Sequence, residues 1–317
     1  YYKTTKDMLL AAPMPIYMGY ASNTYTNIGE ANNRGIEMNL EWRDKTESGF
    51  EYNVGVNMST IRNRMTKLNG GTPISDGPFR NGSMYLTYTN EGMPIGAFWG
   101  YKTDGLIQTQ EQLNAVKRAD FQPNAELGDV LFVDTNGDGK LDSSDRCMIG
   151  NPIPDIIYGI NMGMAWKGFD LNLQFGGTIG NQIFNAMRYY TYFPNDITNK
   201  DRALMNYWTP NNTNTDIPRL TATDVNDNDR FSDMYVENGT YFRLRNAQLG
   251  YTLPASLTQR IKLQKVRFYV SGQNLFTISS YSGMDPEVGQ SSSLSRGIDY
   301  GIYPQNISFT GGINVTF

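Results

Sequence analysis

The sequence predicts an all-β protein: an antiparallel transmembrane β-barrel with short turns at one end of its strands and long extracellular loops at the other. Three observations predict it. First, alternation is strict. Ile36, Met38, Leu40 and Trp42 alternate with Glu37, Asn39, Glu41 and Arg43, and Phe50, Tyr52, Val54, Val56 and Met58 alternate with Glu51, Asn53, Gly55 and Asn57; a period of two marks strands with one apolar and one polar face. Second, the connections alternate between long (13–32, 64–81, 105–154, 179–241, 277–304) and short (44–49, 91–94, 167–168, 254–263), the asymmetry of outer-membrane barrels. Third, Trp42, Phe50, Tyr52, Trp99, Trp166, Phe169, Tyr251 and Phe317 sit at the short-turn ends, where an interfacial aromatic girdle belongs.

Taken in order, residues 1–12 read as a strand and 13–32 as a loop. The hairpin 36–58 follows, then a polar loop over roughly 64–81. A weaker strand (Met84, Leu86, Tyr88) leads through the turn Glu91–Pro94 to a strand over Ile95–Tyr101. Segment 105–154 carries a short helix, signalled by a capping box of Thr109 and Gln112 ahead of Leu113 and Val116, and then an Asp-rich loop. The next hairpin places Ile156, Tyr158, Ile160, Met162, Met164 and Trp166 before a turn at Lys167-Gly168, with Phe169, Leu171, Leu173 and Phe175 after it. The longest connection, 179–241, includes a helix through Leu204 to Trp208, stopped by Pro210. Strands near 242–253 and 264–276, a loop over 277–304 and a last strand with Ile307, Phe309, Ile313, Val315 and Phe317 on one face complete about ten strands.

Composition narrows the function. The net charge of −4 argues against nucleic acid as the partner. The chain has no histidine, which removes the usual general base, the Ser-His and Cys-His pairs and the commonest zinc ligand. Asp224, Asp227, Asp229 and Asp233 lie in a polar run with Arg230; no apolar wall is there to raise an acid's pKa, so they read as a solvated loop and not as an acid–base pair. An enzyme is therefore not expected, and no catalytic residue is assigned. The single cysteine, Cys147, reads as a harmless buried or loop thiol. No apolar run is long enough for a transmembrane helix, a statement that does not touch barrels. The chain opens mid-strand at Tyr1 without Met, so it is expected to be a piece of a longer polypeptide.

Two groups of residues are candidate sites. Asp134, Asn136, Asp138, Asp142 and Asp145 occupy positions 1, 3, 5, 9 and 12 of a calcium loop, with Gly139 at position 6 and the Lys140 carbonyl at position 7. Hard oxygen ligands at this spacing suit Ca²⁺ in a structural role, although Asp145 is shorter than the usual Glu and a strand-like 130–133 replaces the entering helix. The alternative is an Asp/Asn/Gly turn bound to nothing. Tyr189, Tyr190, Tyr192, Trp208 and Tyr281, in the long loops, are candidates for stacking on sugar rings; packing the loops together and contact with a lid protein are the other readings.

Several motifs in order resemble the SusC/RagA family of TonB-dependent outer-membrane transporters. They include Gly92-Met-Pro-Ile-Gly96, Phe98-Trp-Gly-Tyr-Lys-Thr-Asp-Gly105, Gly128-Asp-Val130 and Asp134-Thr-Asn-Gly-Asp-Gly139. Further on come Ile149-Gly-Asn-Pro152, Lys167-Gly-Phe-Asp-Leu171, Asn214-Thr-Asp-Ile-Pro-Arg219, Leu244-Arg-Asn-Ala-Gln-Leu-Gly-Tyr251, Val270-Ser-Gly-Gln-Asn-Leu-Phe276 and Asp285-Pro-Glu287. The resemblance covers essentially the whole chain. It implies the last ten or so strands of a barrel of about 22 strands, without signal peptide, TonB box, plug or first barrel strands. It also implies import of oligosaccharides or peptides across the outer membrane of a Gram-negative bacterium, a SusD-like surface lipoprotein as lid, and energy from TonB acting on the missing N-terminal part. The rival reading is a secreted calcium-dependent carbohydrate-binding β protein, whose apolar strand faces would be buried against each other.

Overall fold

In a computed structural model, residues 1–12, 24–68, 73–80, 82, 84–193, 199–289 and 292–317 are described. The alternating segments become one wall of antiparallel strands. β1 (Tyr2–Ala12) pairs with β2 (Thr24–Arg34), which runs on into β3 (Glu37–Lys45). Likewise β4 (Glu51–Thr60) runs on into β5 (Arg62–Leu68), and the pairs Arg34↔Arg62 and Glu37↔Ser59 lie on one register. The wall then continues through β12 (Ile156–Trp166), β13 (Phe169–Ile179), β16 (Tyr241–Thr252), β17 (Lys265–Ser279) and β19 (Ser308–Thr316). Counting β2–β3 and β4–β5 as single strands gives eight wall strands among the described residues. The barrel is not closed within this chain, and β1 and β19 form its two edges.

The remaining elements gather at the loop end as a cap. They are β6 (Ile74–Phe79), β7 (Met84–Thr89), β8 (Ala97–Gly100), β9 (Thr103–Leu106), β10 (Val130–Phe132), β11 (Cys147–Gly150), β14 (Gln182–Asn185), β15 (Val236–Asn238) and β18 (Ile298–Asp299), with helices α1 (Gln110–Arg118) and α2 (Ala186–Tyr192). Their side chains build the main core, in which Leu86, Phe98, Phe184, Tyr235 and Ile298 are fully buried. A second core of Leu106, Phe121, Val130, Phe132 and Trp208 adjoins it. Cys147 is half-buried against the first.

Length decides which strands cross and which cap. A membrane-crossing strand needs about 9–11 residues. β12 and β13 have 11 each and β4 has 10, whereas β7 has 6 and β8 has 4. The strands expected at 84–88 and 95–101 therefore exist but belong to the cap, and the turn Glu91–Pro94 is not one of the short turns beneath the wall. Trp99 accordingly leaves the girdle and stacks on Tyr88, ring centroids 4.5 Å apart. Two expected loops contain strand: in 13–32 the described part, from Thr24 on, belongs to β2, residues 13–23 lying outside the described residues, and β5 and β6 occupy most of 64–81. Neither shows apolar alternation, because these segments run past the apolar band and pair through polar side chains such as Asn63 Nδ2 donating to Asn33 Oδ1 at 2.7 Å.

The turn at Lys167-Gly168 behaves as read. Lys167 and Gly168 both have positive φ, +48° and +88°, the requirement of a two-residue type I′ hairpin. The capping box of Thr109 and Gln112 starts α1. The helix expected at 204–208 is a 3₁₀ turn over Arg202–Asn206, and α2 was not signalled by the sequence.

Candidate functional site

The wall has two chemically distinct faces, set row by row by the register. On one face Leu40, Val56, Ile160, Phe175, Leu244 and Phe276 lie side by side, as do Trp42, Val54, Met162, Leu173 and Ala247. This face is exposed: Val270 and Ile313 are 60% accessible and Phe309 is 79%. No other part of the described chain covers it, and an apolar surface of this extent marks contact with a membrane or another apolar partner. From Ile156 to Trp166 the apolar side chains span ten residues of β12. At about 3.4 Å per residue and a tilt of about 35–45°, that is a band roughly 25 Å tall, the height of an outer-membrane barrel's lipid-facing belt. At its lower edge Trp166, Phe169, Tyr251 and Phe268 form an aromatic row.

The opposite face is polar along its length. One row reads Glu41, Gly55, Asn161, Gln174, Asn246, Gln273 and Ser308; the next reads Arg43, Asn53, Gly163, Asn172, Gln248, Ser271 and Thr310. Glycines on this face let neighbouring side chains lie flat. A Cβ at Gly250 would stand 2.4 Å from Arg267, whose Nε and Nη2 donate to Asp170 at 2.8 and 2.5 Å. Arg43, Lys45, Glu51, Asn53, Asp170 and Asn172 line an open hollow of about 620 Å³. Such a surface is a wettable lumen wall with charges of both signs.

Buried ion pairs hold the cap to the wall and the cap to itself, tying together segments that the sequence left as separate motifs. Arg243 of β16, 2% exposed, donates to Asp285 Oδ1 at 2.6 Å, to Glu287 Oε2 at 3.0 Å and to Thr277 Oγ1 at 2.8 Å. Burial works against ionising Asp285, but the amides of Gln305 and Glu287 and the Arg243 guanidinium outweigh it and hold the carboxyl below the usual range. Arg219 Nε donates to buried Asp129 at 2.6 Å, and Asn228 Nδ2 adds a bond of 3.0 Å. The Gly128-Asp and Pro-Arg219 motifs are thus two halves of one pin, closed by the Arg219 amide on the Gly128 carbonyl at 2.9 Å.

The expected site residues divide. Tyr189, Trp208 and Tyr281 are buried and pack the cap, in keeping with the loop-packing reading offered beside sugar stacking. Tyr281 donates to Asp299 at 2.6 Å, and burial together with that carboxylate pushes its phenol well up. Tyr189 donates to Asp229 at 3.2 Å and accepts from Arg80 at 2.9 Å. Trp208 Nε1 donates to Gln108 Oε1 at 2.8 Å, and its indole covers Gly128, where a Cβ would stand 2.2 Å away. Tyr190 and Tyr192 keep part of their surface exposed, with the Arg188 guanidinium over the Tyr192 ring at 5.0 Å.

The four aspartates read as a solvated loop are tied into the cap. Asp224 is half-buried, which pushes its carboxyl up; Asp233 accepts from Thr103 Oγ1 at 2.6 Å; and Asp227 and Asp229 pair with Arg230 and Arg80.

The Asp-rich turn is organised by its own amides. Asp134 accepts from Gly139 and Gly137 N–H at 2.8 and 2.6 Å, and those amides, Gly139 first, hold its carboxyl low. Asp145 accepts from Thr135 and Asp142 N–H at 2.9 and 3.0 Å. Asp138 accepts from Lys140 N–H, and Asp142 from Ser144 N–H. Among the described residues, no three carboxylates gather around one point. A carboxylate accepts up to about four hydrogen bonds, so each retains lone pairs, and the donor set with Asn136 and the Lys140 carbonyl is hard oxygen of the kind Ca²⁺ takes.

Comparison with known proteins agrees with this geometry. A family model described as TonB dependent receptor-like, beta-barrel, matches residues 1–139. TonB-dependent receptor P3 of Formosa agariphila is 37% identical, the alignment covering 99% of this chain and 31% of that protein. TonB-dependent receptor SusC of Bacteroides thetaiotaomicron is 26% identical, over 100% of this chain and 29% of that protein. A solved structure of the RagAB peptide transporter superposes with a TM-score of 0.77 at 25% identity, covering 100% of this chain and 32% of that one. The chain thus spans about a third of the length of the relatives it matches.

A two-faced wall with a lipid-height apolar belt defines the class: an outer-membrane β-barrel of a Gram-negative bacterium. Within that class the chain is part of the barrel of a TonB-dependent receptor of the SusC and RagA kind. Such proteins are receptors and transporters, not enzymes, and an outer-membrane location displaces the secreted rival.

Proposed function

We propose that this chain supplies part of the conduit wall and part of the outer cap of an active importer of nutrients, oligosaccharides or peptides. A SusD-like surface lipoprotein would close over the cap, and TonB would act through parts of the polypeptide outside this chain. The observation that carries the reading is the continuous polar face of the wall, set back to back with a lipid-height apolar face. The likeness to a peptide transporter and to SusC along the whole chain supports it. In the parent bacterium, deleting the gene should abolish growth on one oligosaccharide or peptide mixture as sole nutrient, and the intact gene should restore it. Unchanged uptake of all such mixtures in the deletion strain would contradict importer activity.

We further propose that Asp134, Asn136, Asp138, Asp142, Asp145 and the Lys140 carbonyl hold Ca²⁺ as a brace for the 105–154 loop. Ligand spacing supports this, as does Gly139 at φ +78°, which turns the loop where a side chain would be strained. Trypsin cleavage after exposed Lys140 should slow with Ca²⁺ and quicken with a chelator, and Asp138→Asn should remove the difference. Equal cleavage rates with and without Ca²⁺ would contradict it.

A further inference from the structure

One charged patch on the molecule belongs neither to the lumen nor to the cap core. Arg34 of β2 and Arg62 of β5 are directly opposite partners, and Arg64 follows two residues along β5, opposite Asn32. All three arginines are exposed. Their face is fixed by the register. The opposite face of the same strands carries buried Ala31 and Met65, packed with Ile74 and Ile95 of the cap. Arg34 and Arg62 therefore share the outward face with Ile36, Met38 and Met58. They stand one step, about 7 Å, beyond the last row of the apolar face, Ile36, Thr60, Ile156 and Ile179. With Tyr2 and Asn32 they line an open groove of about 680 Å³.

Two like charges placed directly opposite on a sheet are destabilising. Only Arg62 has a carboxylate partner, Asp155 at 3.2 Å, in a pair that is itself largely exposed. Among the described residues Arg34 and Arg64 pair with no acid within 4.0 Å. The wall thus presents a concentration of guanidinium groups at the upper edge of its lipid belt, with a tyrosine beside them. Arginine forks match phosphate oxygens bidentately, and basic residues beside a bilayer attract anionic headgroups.

We propose that Arg34, Arg62 and Arg64 form a binding site for the phosphate groups of an outer-leaflet lipid headgroup, whose acyl chains lie on the apolar rows below. The site fixes the barrel's depth and neighbours in the membrane. It rests on the loop end facing outwards, as the importer reading has it, but it is measured by lipid binding without transport, so the two fail separately.

The test uses the full-length receptor that contains this chain, purified in detergent and titrated in native mass spectrometry. The probes are bisphosphorylated lipid A, the same lipid stripped of its phosphates, and inorganic phosphate alone. The wild type should retain the phosphorylated lipid, and Arg34→Gln/Arg64→Gln should bind it about thirtyfold more weakly while binding the stripped lipid as before. Heat-modifiable migration on a gel reports that each variant is folded. Should the double variant fail that check, Arg34→Gln alone, with about fivefold weaker binding, decides the matter. Equal binding by wild type and variant would overturn the site. So would failure of the wild type to distinguish the two lipids, or competition by inorganic phosphate at the lipid's own concentration.

Discussion

Arg243 concentrates the chemistry that joins cap to wall. It is a buried cation satisfied by Asp285, Glu287 and Thr277. Removing one partner of a buried pair leaves the other uncompensated, at a cost of about 3–5 kcal/mol. Arg243→Ala should therefore lower stability by about that amount, read as earlier loss of the heat-resistant band, and a loss below about 1 kcal/mol would count against the pin. The same pin has a pH signature. The Asp285 carboxyl is held low in the fold, so its contribution is fully present above the unfolded carboxylate range and is lost as pH falls through the folded value. Acid destabilisation below about pH 4 should be shallower in Asp285→Asn, and an identical acid profile would contradict the assignment. Gly128 is a second sensitive point: its φ is +85°, and Trp208 occupies the space a Cβ would need. Gly128→Ala should cost at least about 1–3 kcal/mol, by the same assay.

Among the elements, the wall strands were the most legible in the sequence, because each obeys a single rule. Alternation gave the hairpin at 156–179 with its turn, and gave 36–60 almost to the residue. Legibility failed where that rule stops. β2 and β5 extend beyond the lipid belt, and their polar pairing looks like a loop to a hydrophobic pattern. β7, already the weaker strand in the pattern, and β8 bury Leu86 and Phe98 in the cap; their shortness sets them apart from the wall strands. The long-loop aromatics were visible as residues but not as a core, because some of their partners lie a hundred positions away or more, as Gln108 does from Trp208 and Arg80 from Tyr189. The motifs Gly128-Asp129, Pro218-Arg219 and Asp285-Pro-Glu287 were legible as a resemblance; that they are pins needed the fold. At this scale the two faces predict opposite tolerance. Val270→Arg at the lipid belt should destabilise insertion by about 2–4 kcal/mol, whereas Asn172→Arg on the polar face should change it by less than about 0.5 kcal/mol. Folding into lipid vesicles measures both, and equal costs would contradict the assignment of faces.

For the whole molecule, shape follows from a division of labour between strand length and loop length. Long strands build a sheet whose outward face matches lipid and whose inward face is wet. The chain between them folds over one end as a cap with its own cores and its own buried ion pairs. An open-edged wall leaves backbone groups unpaired at β1 and β19, which is costly in lipid, so the wall is stable as part of a closed barrel. The two-faced wall is the central claim, and cysteine accessibility in the full-length receptor in intact outer membranes tests it most directly. In a Cys147→Ser background, single cysteines would replace Leu40, Val54 and Val270 on one face and Glu41, Asn161 and Gln174 on the other. The first set should react only with a membrane-partitioning thiol reagent, and the second with a water-soluble one. Equal reaction of both sets with the water-soluble reagent would contradict a lipid-facing wall.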